Sequence, residues 1–227
     1  MGDLNHWVKG DRIKDFTIQH KLGSGYEAVV YLVRDERDGK LRTLKLFKRT
    51  NILADVQHTY KHWLQYAGLS SVKQCLEWGV LQGQRRVSER PWILLDYAPG
   101  ETLAMKIERG HIRDPTELVI QLLQALAPIH ARGLGIGDLD KGRNVIVERE
   151  SGNCGRMVFI DMDAGSPAHR PPEIYEDLLE VLWLARKCCR GELQGNLVKL
   201  LTELPDAAAA LQVIKQPAIN PVKRRTQ

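Results

Sequence analysis

Residues 129–148 read IHARGLGIGDLDKGRNVIVE. The apolar residues leading into this stretch, Leu118, Ile120, Leu122, Leu123, Leu126 and Ile129, predict a helix over Glu117–Arg132 that ends near Gly133. A loop then carries Asp138, Asp140, Lys141 and Asn144 before a short apolar strand, Val145–Glu148. Asparagine together with a carboxylate suits a divalent cation, which wants hard oxygen ligands. An aspartate beside a lysine suits phosphoryl transfer. The carboxylate takes or orients the acceptor proton, and the ammonium offsets charge on the moving phosphate. Taken alone, the same residues also make an ordinary polar turn between a helix and a strand.

Downstream, VFIDMDAG follows a turn, SGNCG, and predicts a strand over Met157–Ile160 that ends in Asp161, with Asp163 just beyond. A carboxylate at that strand end could complete an oxygen-ligand set with Asn144; the plainer alternative is a helix-capping aspartate. Upstream, residues 21–31 read KLGSGYEAVVY. Gly23 and Gly25 supply the small bulk a phosphate-binding loop needs, so that backbone N–H groups can approach oxygens, and Ala28 stands where a third glycine could be. Two glycines are a weak signal alone, since a hairpin turn uses them too. In RTLKLFKR, strand alternation puts Thr43, Lys45 and Phe47 on one face and Leu44 and Leu46 on the other. A lysine on the face under a glycine loop suits the α- and β-phosphates of a nucleotide as a point charge.

The intervening sequence organises these pieces. Residues 16–33 and 41–47 read as strands around the turn Asp35–Lys40, whose Asp38–Gly39 is a strong hairpin signal. Residues 51–67 have helical periodicity, with Ile52, Leu53, Val56, Tyr60, Trp63 and Leu64 on one face. Gln74–Gln82 and Trp92–Tyr97 read as strands split by the polar loop GQRRVSER. Pro99–Gly100 marks a joint, after which the patterns are mainly helical, including 173–190 and 193–203. Strands first and helices later predict an α+β chain of two lobes. The boundaries are 1–97 for a β-rich N-lobe, 98–205 for a mainly α C-lobe and 206–227 for an alanine-rich, then basic tail that is expected to fray.

Composition narrows the function classes. The chain of 227 residues is 43% hydrophobic and 27% charged, an ordinary globular composition. No apolar run approaches the ~20 residues of a membrane span, and the start, MGDLNHWVKGDR, has no apolar signal core. The four cysteines, Cys75, Cys154, Cys188 and Cys189, form no CxxC pair, which predicts reduced thiols and a cytoplasmic protein. A net charge of +5 and a pI of about 9.0 admit an anionic ligand. The basic residues are scattered without interleaved aromatics, so no nucleic-acid partner is expected. His58 and His62 lie four apart on the predicted helix, but no third ligand is spaced for zinc. Trp63, Trp78 and Trp183 read as core or lobe-interface packing, and His130 as a structural residue at a helix end where a cation is favoured.

In order, LGSGYEAVVY, TLKLF, WILLDYAPGETL, GDLDKGRN, FIDMDAG and PPEIYEDLLEVLWLA resemble motifs of the protein kinase superfamily. They are similar to its glycine-rich loop, strand lysine, hinge, catalytic loop, metal-binding aspartate and a worn APE segment with the helix after it. The resemblance spans about residues 16–190 and implies a two-lobed protein kinase-like fold. It implies an ATP-dependent phosphotransferase that uses Mg2+, with a Ser/Thr hydroxyl of a protein as acceptor. The alternatives are a sugar or lipopolysaccharide hydroxyl, and a nucleotide-binding pseudokinase acting as an interaction module. On this resemblance Gly23 and Gly25 cover the phosphates, Leu22 and Val30 lie above the adenine, and Lys45 contacts the α/β-phosphates. Asp96 to Ala98 form the hinge. Asp138 is the catalytic base, with Asp140 as the alternative; Lys141 meets the γ-phosphate; Asn144 and Asp161 hold the metal; and Asp177 braces the catalytic loop.

The chain also departs from the family pattern. Helix 51–67 has no glutamate to partner Lys45, leaving Asp55 or His58 as stand-ins. Ile136-Gly137-Asp138 replaces His-Arg-Asp, and the loop has one extra residue before Asn144, placed at Leu139 or Asp140. Asp161 to Glu173 is short for an activation segment, and the chain stops soon after the following helix. These features suggest a compact member of bacterial or phage type, close in size to sugar or lipopolysaccharide kinases.

Overall fold

β-Branched and aromatic residues alternating with polar ones build the first part of the chain. In a computed structural model, which describes residues 7–49, 53–81, 90–112, 114–148, 155–162, 174–188 and 195–214, they form a six-stranded antiparallel sheet. Its strands are β1 Arg12–Ile13, β2 Phe16–Ser24, β3 Ala28–Asp35, β4 Leu41–Phe47, β5 Cys75–Leu81 and β6 Arg90–Asp96, ordered β1-β2-β3-β4-β6-β5. Helix α1, Leu53–Leu64, crosses between β4 and β5. The Asp38–Gly39 turn forms as expected: Asp35 N–H donates to Lys40 O, and Gly39 takes a φ of 73°.

Register sorts the side chains. Val29, Leu46 and Trp92 share one rung, and Tyr31, Leu44 and Leu94 another. Together with Ile13, Phe16, Ile18 and Val33 they make a dry core on one face of the sheet. Phe16 meets Trp92 edge to face, with ring centroids 5.4 Å apart. Gly79 pairs with Trp92 across β5 and β6, so the indole lies where a side chain at Gly79 would project.

The chain divides into two compact units between Ala98 and Pro99, the second also taking in Leu69–Ser71. The second unit is mainly helical. It has β7 Gly100–Thr102, α2 Leu103–Glu108, α3 Pro115–His130, β8 Val145–Glu148, β9 Met157–Phe159, α4 Ile174–Cys188, α5 Gly195–Glu203 and α6 Ala207–Ile214. Strands β7, β8 and β9 pair in that order into a small antiparallel sheet. Pro115 starts α3 at a position that needs no N–H, and the Asp114 carboxylate caps it by accepting from Thr116 and Glu117 N–H. Leu118, Leu122, Leu126 and Ile129 are buried along α3, as their spacing predicts.

Two sequence expectations need correction. The segment after Pro205 does not fray at once: Ala207, Ala210 and Ile214 of α6 are buried, and α6 packs on α3. The core reading of Trp183 does not hold, since it is 41% exposed. His130 is structural, as expected: its ring is buried and bonded at both nitrogens. Beyond these, β1, β7 and α2 have no counterpart in the periodicity, because each is too short to show one. The loop GQRRVSER up to Glu89, the turn SGNCG up to Cys154 and the expected activation segment from Asp163 to Glu173 lie outside the described residues.

A Cβ at Gly79 would stand 2.5 Å from Trp92 Cζ2, in a core where Trp92 is almost fully buried. Gly79→Ala is therefore expected to lower unfolding free energy by about 1–3 kcal/mol through overpacking. Urea denaturation checks this; a change within error of zero would mean that the sheet yields at this rung.

Candidate active site

In the first unit the glycine turn joins β2 to β3. Gly25 N–H donates to Ala28 O at 3.0 Å and closes it. A Cβ built on Gly23 or Gly25 would meet nothing within 4 Å, and neither residue has a positive φ. Glycine is thus required at these positions neither by the protein's own packing nor by backbone strain. Beyond the turn, Lys48 Nζ bonds Gly25 O and Arg49 Nη2 lies 2.5 Å from Tyr26 Oη, so the end of β4 ties down the loop tip.

A single rung crosses the sheet below that turn: Gly23 pairs with Val30, Val30 with Lys45, and Lys45 with Ile93. Directly paired residues project from the same face. Val30 and Lys45 therefore stand side by side, opposite the core face that carries Val29 and Leu44. Lys45 Nζ lies 5.8 Å from the Phe47 ring centroid on that same face. Leu22 is 42% exposed at the edge, and Val30 is half-buried. Asp96 ends β6, where its N–H donates to Gln74 O and its carboxylate binds Arg42 Nη1 at 2.5 Å. Arg42 is the cross-strand partner of Asp96. Sequence reading missed this pair, although the β4–β6 register places the two side chains together. Ala98 is buried just after it. Helix α1 contains no glutamate, and Asp55 is exposed in its first turn. His62 is a buried partner of the Tyr66 hydroxyl, 3.1 Å away.

In the second unit the loop between α3 and β8 is held from one side by α4. The Asp177 carboxylate, 1% exposed, accepts Ile136 N–H and Gly137 N–H, each at 2.8 Å, and lies 3.0 Å from His130 Nε2. His130 Nδ1 accepts Ala207 N–H at 3.1 Å. An imidazole nitrogen that accepts carries no proton, so His130 is the neutral tautomer with its hydrogen on Nε2, donated to Asp177. One carboxylate thus links the ends of α3 and α6 to the loop.

Farther along, Asn144 Nδ2 donates to Asp138 O at 3.1 Å and to Asp138 Oδ2 at 3.2 Å. Asp140 N–H donates to Asp138 Oδ1, and the Asp140 carboxylate lies 3.8 Å from Arg143. Asp138 is exposed while Leu139 beside it is fully buried, so the loop turns its acid outward by anchoring its neighbour. Lys141 Nζ lies 5.9 Å from the Trp183 ring, as an exposed cation over an indole. The β8–β9 hairpin brings the two proposed metal ligands to one end. Ile160 N–H donates to Asn144 O at 3.0 Å, which places Asp161 one residue past that link. Two oxygen-bearing side chains are a fitting set for Mg2+, which takes one or two protein ligands and completes its shell with phosphate and water. Among the described residues no group of three His, Cys, Asp or Glu forms a metal cluster.

Sequence reading also missed Glu180. Its carboxylate accepts Leu139 N–H at 2.7 Å. Burial pushes its pKa above the ordinary value, the Leu139 N–H pulls it back, and the charges of Asp138, Asp177 and Asp140 push it up again. A glutamate three residues past a helix acid reads as a solvated charge, so no pattern singled it out.

Strand order, the paired loop and the helix that braces it define a protein kinase-like fold. No protein-family model matches the chain. It is similar to the kinase domain of Mycobacterium tuberculosis PknI, with a TM-score of 0.65 at 16% identity, covering 91% of this chain and 97% of that one. Among curated proteins it is 28% identical over 197 residues to the dual specificity testis-specific protein kinase 1 of Rattus norvegicus, covering 80% of this chain and 29% of that protein. It is 23% identical over 181 residues to the human Citron Rho-interacting kinase, covering 71% of this chain and 9% of that protein. The chain therefore spans less than a third of the curated relatives it matches. Its fold is protein kinase-like, and its sequence is similar to those of protein kinases.

Two outcomes follow from this geometry. Asp177→Ala leaves two loop amides and the His130 Nε2–H without their acceptor, and is expected to cost about 3 kcal/mol or more of unfolding free energy. A loss under about 1 kcal/mol in urea denaturation would contradict the brace. For Glu180, a raised folded-state pKa means its contribution is intact below the unfolded value and is lost as pH rises through the folded one. The stability of Glu180→Gln relative to wild type is therefore expected to increase from about pH 4 to about pH 7. Thermal melts across that range check the sign, and a flat or falling difference would oppose it.

Proposed function

We propose that the chain is an ATP- and Mg2+-dependent phosphotransferase that moves the γ-phosphate to a hydroxyl, with Ser/Thr of a protein as the acceptor. The observation that carries this reading is the loop Ile136–Asn144, where an outward Asp138 is bonded to Asn144, beside a hairpin end that presents Asp161. In this reading Asp138 takes the proton of the acceptor hydroxyl, and Lys141 offsets charge on the transferring phosphoryl group. Asn144 and Asp161 hold the metal, whose bound charge neutralises the phosphate oxygens. Asp138 is preferred to Asp140 as base, because Asp140 lies beside the Arg143 guanidinium and Asp138 is the acid that Asn144 orients.

Gly23 and Gly25 serve the nucleotide. Their missing side chains meet no need of the fold, whereas a phosphate approached by backbone N–H groups requires them to be absent. Lys45 supplies the point charge for the α/β-phosphates, Leu22 and Val30 the apolar surface for adenine, and the backbone of Asp96 to Ala98 its edge contacts. A curated relative named as a protein kinase favours a protein hydroxyl over a sugar or lipopolysaccharide one. A cytoplasmic setting suits a reduced thiol at Cys75, where burial pushes the pKa up to about 12 and keeps the sulfur unreactive. Among the described residues no helix is long and apolar enough to cross a membrane. A nucleotide-binding pseudokinase is the second reading, favoured by the absence of a glutamate from α1.

Labelled ATP with Mg2+ and protein acceptors separates the two readings. Wild type is expected to transfer label, and Asp161→Ala to lose roughly 100-fold or more while its circular dichroism is unchanged. A nucleotide-induced rise in Tm without any transfer would select the binding module. Transfer that survives Asp161→Ala would remove the assigned metal site.

A further inference from the structure

We propose that Glu180 is a second positioning acid, which with Asp177 shapes the loop Ile136–Asn144 and so accommodates the extra residue this loop carries before Asn144. The inference deepens the phosphotransfer reading and depends on it for its catalytic consequence. Its structural content stands independently.

Asp140, Lys141 and Gly142 are consecutive residues with φ of 40°, 54° and 86°. Two of them carry a Cβ, and a non-glycine residue in this region costs about 1–3 kcal/mol. Such a turn persists only where its surroundings over-determine it. Within the loop, Gly142 N–H donates to Leu139 O at 2.7 Å and Arg143 N–H to Asp140 O at 3.0 Å. Gly142 fits closely against α2, since a Cβ there would be 3.0 Å from Ala104 N. The entry to the turn is Leu139, and its two anchors are its buried side chain and the Glu180 carboxylate on its N–H.

Asp177 and Glu180 are three residues apart on α4, so both face the loop from one side of one helix. Asp177 holds Ile136 and Gly137, and Glu180 holds Leu139. Trp183, three residues further, lies under Lys141. Successive turns of α4 therefore meet successive parts of the loop. Between the braced amides of Gly137 and Leu139 lies Asp138, whose carboxylate is left outward. The electrostatics oppose placing a fourth acid here, because Asp138, Asp140 and Asp177 all disfavour its charge. An apolar residue would avoid that repulsion but could not accept the Leu139 N–H. Hydrogen bonding to the loop is thus the contribution that sets Glu180 apart on this face.

The test compares wild type, Glu180→Ala and Glu180→Gln by amide hydrogen exchange and by steady-state kinetics with ATP, Mg2+ and casein. Glutamine keeps a carbonyl oxygen that can accept the Leu139 N–H; alanine does not. Glu180→Ala is expected to lose protection at Leu139–Gly142 while α3 and α4 stay protected, and Glu180→Gln to keep it. Glu180→Ala is expected to lower kcat about tenfold or more with KM for ATP within about twofold, and Glu180→Gln to recover most of the rate. Unchanged loop exchange in Glu180→Ala, or loss of protection across the whole unit, would overturn the brace. Loop exchange altered as expected with kcat unaffected would overturn its catalytic role. If wild type transfers nothing to casein and hydrolyses no ATP, the phosphotransfer reading fails together with the catalytic role, and the exchange pattern still decides the brace.

Discussion

The carboxylate of Asp177 is buried among α3, α4 and the loop that leaves α3, and its oxygens are spent on three N–H donors. A buried charge is tolerated only when hydrogen bonds replace the water it has lost. Here those bonds come from the loop backbone, so the loop's path is set by the solvation needs of one side chain on a helix. The same constraint reaches the end of the described chain: His130 must hold its proton on Nε2 for Asp177, which frees Nδ1 to accept from Ala207 at the start of α6. Helix α4 in turn buries Leu178, Val181, Leu182, Leu184 and Ala185, which fixes the acid in space. Apolar packing therefore places the acid, and the acid places the loop.

The two units position the candidate site residues by different physical means. In the first, strand register does the positioning: Gly23, Val30 and Lys45 are aligned because they share a rung, whatever their side chains prefer. In the second, position comes from side-chain hydrogen bonds to backbone amides, which is how a loop with three consecutive positive φ values keeps one shape. Register acts through the backbone of the paired strands, whereas the loop depends on the acceptors that individual side chains supply.

Much of this was legible in the sequence, because it rests on local chemistry. The Asp38–Gly39 turn, the alternation around Lys45, the α3 periodicity and the ordered polar motifs all declare themselves within a few residues. Asp177 was legible as a loop brace only through resemblance, since an aspartate in an apolar helix does not say which amides it meets. Features that depend on distant partners were not legible. Ala207 and Ala210 read as a fraying tail, because alanine carries no pattern; they are buried since small methyl groups let α6 approach α3 closely. Glu180 shows itself only through its contact with Leu139 N–H, and Trp183 is exposed beside Lys141 rather than in the core. The left-handed path of Asp140 and Lys141 had no glycine signal to announce it.

A crystal structure of the chain soaked with Mg2+ and a non-hydrolysable ATP analogue would test the central claim most directly. The account predicts metal density bound by the side-chain oxygens of Asn144 and Asp161, with Asp138 facing the terminal phosphate. Metal and phosphates seated elsewhere, with Asn144 still donating to Asp138 and no ligand at Asp161, would contradict it.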